Sequence, residues 1–109
     1  MQTEYRERLV GLSKRFAHDI YRVSRDFPKS EMHGSISQIR RAALSIPLNI
    51  VEGYSRGPGK SYRNFFQIAY GSAKESEFLL DFALEEGWFD TLRLWIRRSH
   101  PQSPIFNVK

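Results

Sequence analysis

Between residues 5 and 27 the large apolar side chains recur with a spacing that only one backbone conformation turns into a surface. Tyr5, Leu9, Leu12, Phe16, Ile20, Val23 and Phe27 are separated by steps of 4, 3, 4, 4, 3 and 4 residues. On a backbone with 3.6 residues per turn that spacing keeps all seven on one face. Arg6, Arg8, Lys14, Arg15, Asp19, Arg22 and Asp26 fall between them and make the solvent side. Pro28 predicts the end of this helix, because the residue before a proline is forced out of the helical region.

Two further segments carry the same period. Residues 28–34 read as a connector, after which Ser35 and Gln38 have capping-box spacing. Ile36, Ile39, Ala43, Ile46 and Ile50 form the second stripe. Pro47 within it predicts a kink, since its ring removes the bond to the Ala43 carbonyl, and Gly53 reads as the C-terminal stop. Residues 54–60 read as a loop, with Ser61 as the cap of a third helix. The third stripe is Tyr62, Phe65, Phe66, Ala69, Ala73, Ser76, Leu79, Leu80 and Ala83, and the small residues Ala69, Gly71, Ser72, Ala73 and Ser76 suit a close helix crossing. Gly87 followed by Trp88 has the form of a glycine C-cap with its hydrophobic contact. A fourth segment starts at Asp90 with Leu92, Trp95 and Ile96 on one face, and stops by Pro101. No strand pattern or internal repeat occurs.

The expected architecture is therefore all-α: an antiparallel up-down four-helix bundle with a shortened fourth helix. Residues 1–100 form the helical bundle domain and 101–109 a C-terminal tail. A ten-residue fourth helix of ~15 Å leaves much of the groove between the first and third helices without its own cover. Each large apolar side chain left in water forfeits ~1.5–3 kcal/mol. Another copy of the chain is the simplest cover, so a homo-oligomer is expected.

Composition narrows the chemistry. The chain has no cysteine, which removes disulfides, thiolate metal sites and cysteine nucleophiles and suits a reducing, cytoplasmic compartment. No apolar run reaches the ~18–20 residues of a membrane span, so a soluble protein with no membrane partner is expected. The net charge of +5 is unevenly spread: +2 over 1–27, +3 over 28–60, −4 over 61–90 and +4 over 91–109. Charge complementarity between packed helices is one reading; a nucleic-acid footprint is the other.

At residues 27–53 the sequence becomes distinctive. Phe27-Pro28, Gln38-Ile39-Arg40-Arg41-Ala42-Ala43, Ser45-Ile46-Pro47, Asn49-Ile50 and Glu52-Gly53 follow in close order, and then Phe66, Ala69, Gly71-Ser72 and Glu75. This string resembles the four helix bundle proteins encoded by intervening sequences within bacterial 23S ribosomal RNA genes. It covers residues 5 to about 89. The accessory proteins of diversity-generating retroelements share that fold. The resemblance implies an up-down-up-down bundle, assembly into a ring-like homopentamer and no known enzymatic activity. For the retroelement relatives it also implies binding of nucleic acid and of a reverse transcriptase through a basic surface. The sequence departs from the family after Asp90, where a long fourth helix is usual and Ser99 to Pro104 breaks it early.

Enzyme signatures fall away on inspection. Gly59-Lys60-Ser61 suggests a phosphate loop, but the required earlier glycine position holds Tyr54. His18, His33 and His100 share no metal-ligand spacing, and Ser72 lacks the second glycine of a nucleophile elbow and a strand before it. No cofactor, metal site or catalytic residue is expected.

Arg40, Arg41, Arg56, Lys60 and Arg63 read as a basic cluster around the second helix and the loop after it, with Tyr54 and Tyr62 interleaved for stacking on bases of RNA or DNA. Asn49 and Glu52 are either a binding site at the bundle end or structural: Glu52 pairing with an arginine, and Asn49 satisfying carbonyls freed by Pro47. The functional expectation is a non-enzymatic oligomeric bundle that binds nucleic acid. The alternative is a protein–protein adaptor that accepts a partner helix.

Overall fold

The computed structural model describes residues 2–91 of the chain. They form three long helices: α1 (Gln2–Ser24), α2 (Ser37–Arg56) and α3 (Lys60–Glu85). A short 3-10 turn (Lys29–Glu31) and a π turn (Met32–Ile36) fill the first connection. No strand occurs among the described residues. The helix expected from Asp90 onward and the tail 101–109 lie outside them, Asp90 and Thr91 apart.

The interhelical packing runs mainly through α2, which lies against both α1 and α3. Its stripe is buried as the spacing requires: Ile36, Ile39, Ala43, Ile46 and Ile50 are all in the core, joined by Ala42 and Pro47. One cluster gathers Ile20, Val23, Phe27, Ile36, Ile39 and Ala83, and a second holds Ile46, Ile50 and Ala69.

On α1 the buried face is rotated from the expected stripe. Ser13, Ala17 and Ser24 are buried, whereas Tyr5 is 65% and Leu12 56% exposed. Because α1 leans mainly on α2, only the half of its stripe that meets α2 is covered. Further apolar rows also face outward: Leu44, Leu48 and Val51 on α2, and Phe78 and Phe82 on α3.

Several element boundaries differ from the expectation, each for a local reason. Ser35 is not the cap of α2. It sits inside the π turn, where its N–H and hydroxyl donate to Glu31 Oε1 (3.4 and 2.7 Å). The upstream carboxylate thus does the work assigned to the Ser35–Gln38 pair. Gly53 does not stop α2, which runs on to Arg56 and ends at Gly57 (φ 74°). Gly53 is buried within the helix, and a Cβ there would lie 2.8 Å from the Phe66 ring. Its glycine serves the α2–α3 crossing instead of a turn. The loop narrows to residues 57–59, and Gly59, not Ser61, occupies the cap position of α3 with no side-chain bond. Gly71 is exposed with open space at its Cβ position, so it takes no part in the crossing.

The C-terminus of α3 follows the expected form closely. Gly87 (φ 75°) donates to the Leu84 carbonyl (3.0 Å) and Trp88 to the Ala83 carbonyl (2.9 Å), the paired bonds of a Schellman cap. Trp88 then packs on Phe27 (ring centroids 5.3 Å) and Phe82 (5.8 Å), tying the end of α3 to the end of α1. No helix among the described residues is long and apolar enough to cross a membrane.

Candidate nucleic-acid interface

Antiparallel packing puts the C-terminus of α1, the N-terminus of α2 and the C-terminus of α3 at one end. The N-termini of α1 and α3 and the C-terminus of α2 meet at the other. This topology divides the five basic residues. Arg40 and Arg41 lie near the start of α2, while Arg56, Lys60 and Arg63 lie at its far end and on the first turn of α3. Sixteen helical positions, ~24 Å, separate Arg40 from Arg56. The single cluster expected from the sequence is therefore two separate groups, because neighbours along a helix axis are set by 1.5 Å per residue and not by proximity in a sequence listing.

Arg40 is engaged within the fold. Its Nε donates to Ser24 Oγ (2.8 Å), its Nη2 to the Tyr21 carbonyl (3.4 Å), and its guanidinium lies over the Tyr21 ring (4.8 Å). Arg41 is exposed.

At the other end, Lys60 and Arg63 are exposed and Arg56 pairs with Glu52 (3.0 Å) while lying over Phe65 (5.4 Å). The first turn of α3 contains no acidic residue. A helix N-terminus carries partial positive charge, so Lys60 and Arg63 add to a field that an acidic residue would ordinarily offset. The ion pairs of Arg22 with Asp19, Arg56 with Glu52 and Lys74 with Glu77 each lie within one helix, so these pairs do not join oppositely charged helices.

Beside this basic end is an aromatic cleft of about 690 Å³ lined by Thr3, Tyr5, Arg6, Tyr54, Gly57, Pro58 and Tyr62. Tyr54 meets Tyr62 (6.0 Å) and Phe66 (5.2 Å) edge to face, and Tyr62 meets Phe66 at 4.7 Å. Arg6 lies over the Tyr54 ring at 5.3 Å. Burial holds the Tyr54 phenol above its ordinary pKa; Tyr62 and Tyr5 push the same way and Arg6 opposes them. Tyr54 and Tyr62 were legible in the sequence. Tyr5 and Arg6 were not, because they come from the opposite end of the chain and only helix packing brings them here.

Asn49 and Glu52 do not form a joint site. Asn49 Nδ2 donates to the Ser45 carbonyl (2.7 Å) and to Ser45 Oγ (2.8 Å), and Ser72 Oγ donates to Ser45 Oγ from α3 (2.8 Å). The carbonyl served is that of Ser45, not the Ala43 carbonyl that Pro47 frees. α2 remains one helix through Pro47. No group of three or more His, Asp or Glu side chains able to hold a metal occurs among the described residues. The Gly59-Lys60-Ser61 turn joins two helices, with no strand before it.

Residues 8–94 match the 23S rRNA-intervening sequence protein family. The chain belongs to that family. The match takes in most of α1, all of α2 and α3, and the cap at Gly87. Tyr5 and Arg6, half of the aromatic cleft's ring-and-guanidinium group, lie before the matched region. No curated protein matches the sequence.

Proposed function

We propose that this chain is a non-enzymatic, oligomeric four-helix-bundle protein that binds nucleic acid through the end where α2 passes into α3. A shortened fourth helix beginning at Asp90 belongs to the bundle in this reading and leaves part of its groove for another copy to cover. The observation that carries it is the meeting of Arg6, Arg56, Lys60 and Arg63 with Tyr5, Tyr54 and Tyr62 at one end. Cations that neutralise phosphates beside rings that stack on bases are the two parts of a nucleic-acid surface. Arg41 contributes at most a separate contact, and Arg40 is occupied inside the fold.

Oligomerisation is supported by the apolar rows in water. Leu48 is 65% and Phe78 69% exposed, and each such side chain gains ~1.5–3 kcal/mol on burial. The same rows favour the second reading, an adaptor in which a partner helix lies along Leu44, Leu48 and Val51. A pentameric ring and a reverse transcriptase as partner remain parts of the proposal carried by family resemblance, and a cytoplasmic location is carried by the absence of cysteine.

A filter-binding titration against RNA and DNA tests the reading. Binding that weakens with salt and is further weakened by Lys60→Ala with Arg63→Ala supports it. Absence of binding at low salt removes it and favours the adaptor.

A further inference from the structure

We infer that the cleft between Tyr5, Arg6, Tyr54 and Tyr62 is a stacking site for an unpaired base of single-stranded RNA or DNA. This inference rests on the nucleic-acid reading above and specifies what that end of the molecule recognises. Its first support is the arrangement of the rings. Phe66 backs both Tyr54 (5.2 Å) and Tyr62 (4.7 Å), so these half-buried rings are held from behind while their outer surfaces line an open cleft. Tyr5 stands at the rim, 65% exposed. A tyrosine ring has two side-chain torsions to fix, so a held ring is a stiff platform that loses little freedom on binding.

Second, a planar cation already occupies one ring: the Arg6 guanidinium lies 5.3 Å from the Tyr54 centroid. A flat, delocalised group is what this surface accepts, and a nucleobase is flat and delocalised and stacks on tyrosine and arginine alike. The cleft's volume of about 690 Å³ falls among those that enclose small ligands. It suits one or two nucleotides, not a duplex.

Third, stacking decides between a duplex and a single strand. Arg6, Arg56, Lys60 and Arg63 share this end with Glu4 and Glu7 on α1 and with Glu52, which pairs with Arg56. The field of these cations acts on the phosphates of duplex and single strand alike, so it does not by itself separate them. Stacking gives about five- to 150-fold in affinity per base and is open only to bases with a free face. Unpaired strands should therefore be preferred. Thr91, at the end of the described chain, follows α3 at the opposite end from this cleft.

The test is fluorescence anisotropy with a labelled 16-nucleotide RNA, the same sequence as DNA, and the duplex of each. Wild-type protein should bind both single strands at least about tenfold more tightly than either duplex. Tyr54→Leu and Tyr62→Leu should abolish that preference and leave duplex affinity unchanged, while Tyr54→Phe, which keeps the ring, should retain it. Tyr5→Leu alters an exposed side chain and gives a second reading should the other variants lose helicity by circular dichroism. Preference for RNA over DNA, or the reverse, identifies which strand the rings serve. Equal affinity for single strand and duplex, or leucine variants that keep the preference, overturns the stacking site alone. No binding of any of the four overturns the nucleic-acid reading as well.

Discussion

Arg40 reaches from α2 to the end of α1 and donates its Nε proton to the hydroxyl of Ser24 at 2.8 Å. Ser24 is fully buried, and its hydroxyl donates in turn to the Tyr21 carbonyl (3.2 Å). The guanidinium thus closes the C-terminal turn of α1, where carbonyls lack helical partners and the dipole favours a cation. Removing it strands a buried hydroxyl's acceptor side.

Arg40→Ala should accordingly lower stability by about 1–2 kcal/mol, the range for a hydrogen bond to a charged group that is partly exposed. Arg41→Ala, its exposed neighbour, should stay within about 0.5 kcal/mol of wild type. Urea denaturation of the pair separates the roles. Equal stabilities would show that the Ser24 contact contributes nothing.

Glycines on different faces should respond with opposite sign. At Gly53 an added Cβ would stand 2.8 and 2.9 Å from the Phe66 ring and 3.3 Å from Phe65 Cβ. Overpacking of this kind costs ~1–3 kcal/mol, against a helix-propensity gain of at most ~1 kcal/mol. Gly53→Ala should therefore destabilise. Gly11 lies within α1 with nothing within 4 Å of its Cβ position, so Gly11→Ala should stabilise by ~0.5–1 kcal/mol. Thermal melting of the two variants decides it, and a stabilised Gly53→Ala would contradict the close crossing.

The Ser45 hydroxyl accepts from both Asn49 and Ser72 at 2.8 Å, joining α2 to α3. Ser72→Ala should cost ~0.5–1.5 kcal/mol, and far less in a Ser45→Ala background, where the partner is already gone. A double-mutant cycle with no coupling would mean that the bond is not formed in solution.

Alkaline pH probes the cleft. A phenol with a folded pKa above its unfolded one holds its proton more tightly when folded. Its contribution to stability is full below the ordinary tyrosine value of ~10 and is lost as the pH climbs through the raised value. Burial, Tyr62 and Tyr5 raise Tyr54 in this way. Ultraviolet titration of the phenolates should show one tyrosine ionising late, and Tyr54→Phe should remove that late step. A late step that survives the substitution would place the perturbed phenol elsewhere.

Most of the helical content was legible in residue order. The stripe Ile36–Ile50 is buried as its spacing demands, and Gly87-Trp88 forms the expected cap. Boundaries were less legible where competing partners exist: Glu31 takes the Ser35 hydrogen bonds, and Phe66 explains Gly53. The candidate site was half visible. Tyr54, Tyr62, Arg56, Lys60 and Arg63 stand near one another in sequence, whereas Tyr5 and Arg6 join them only through the antiparallel return of α2 along α1.

Sequence alone determined that this chain forms amphipathic helices, because a three-and-four spacing of apolar side chains is a local property that a 3.6-residue turn converts directly into a face. Which half of each face is covered, which arginine is spent inside the fold and which tyrosines meet at one end were decided only by tertiary packing. Those outcomes depend on how α1 and α3 lean against α2, and contacts between residues some fifty positions apart leave no periodic trace along the chain.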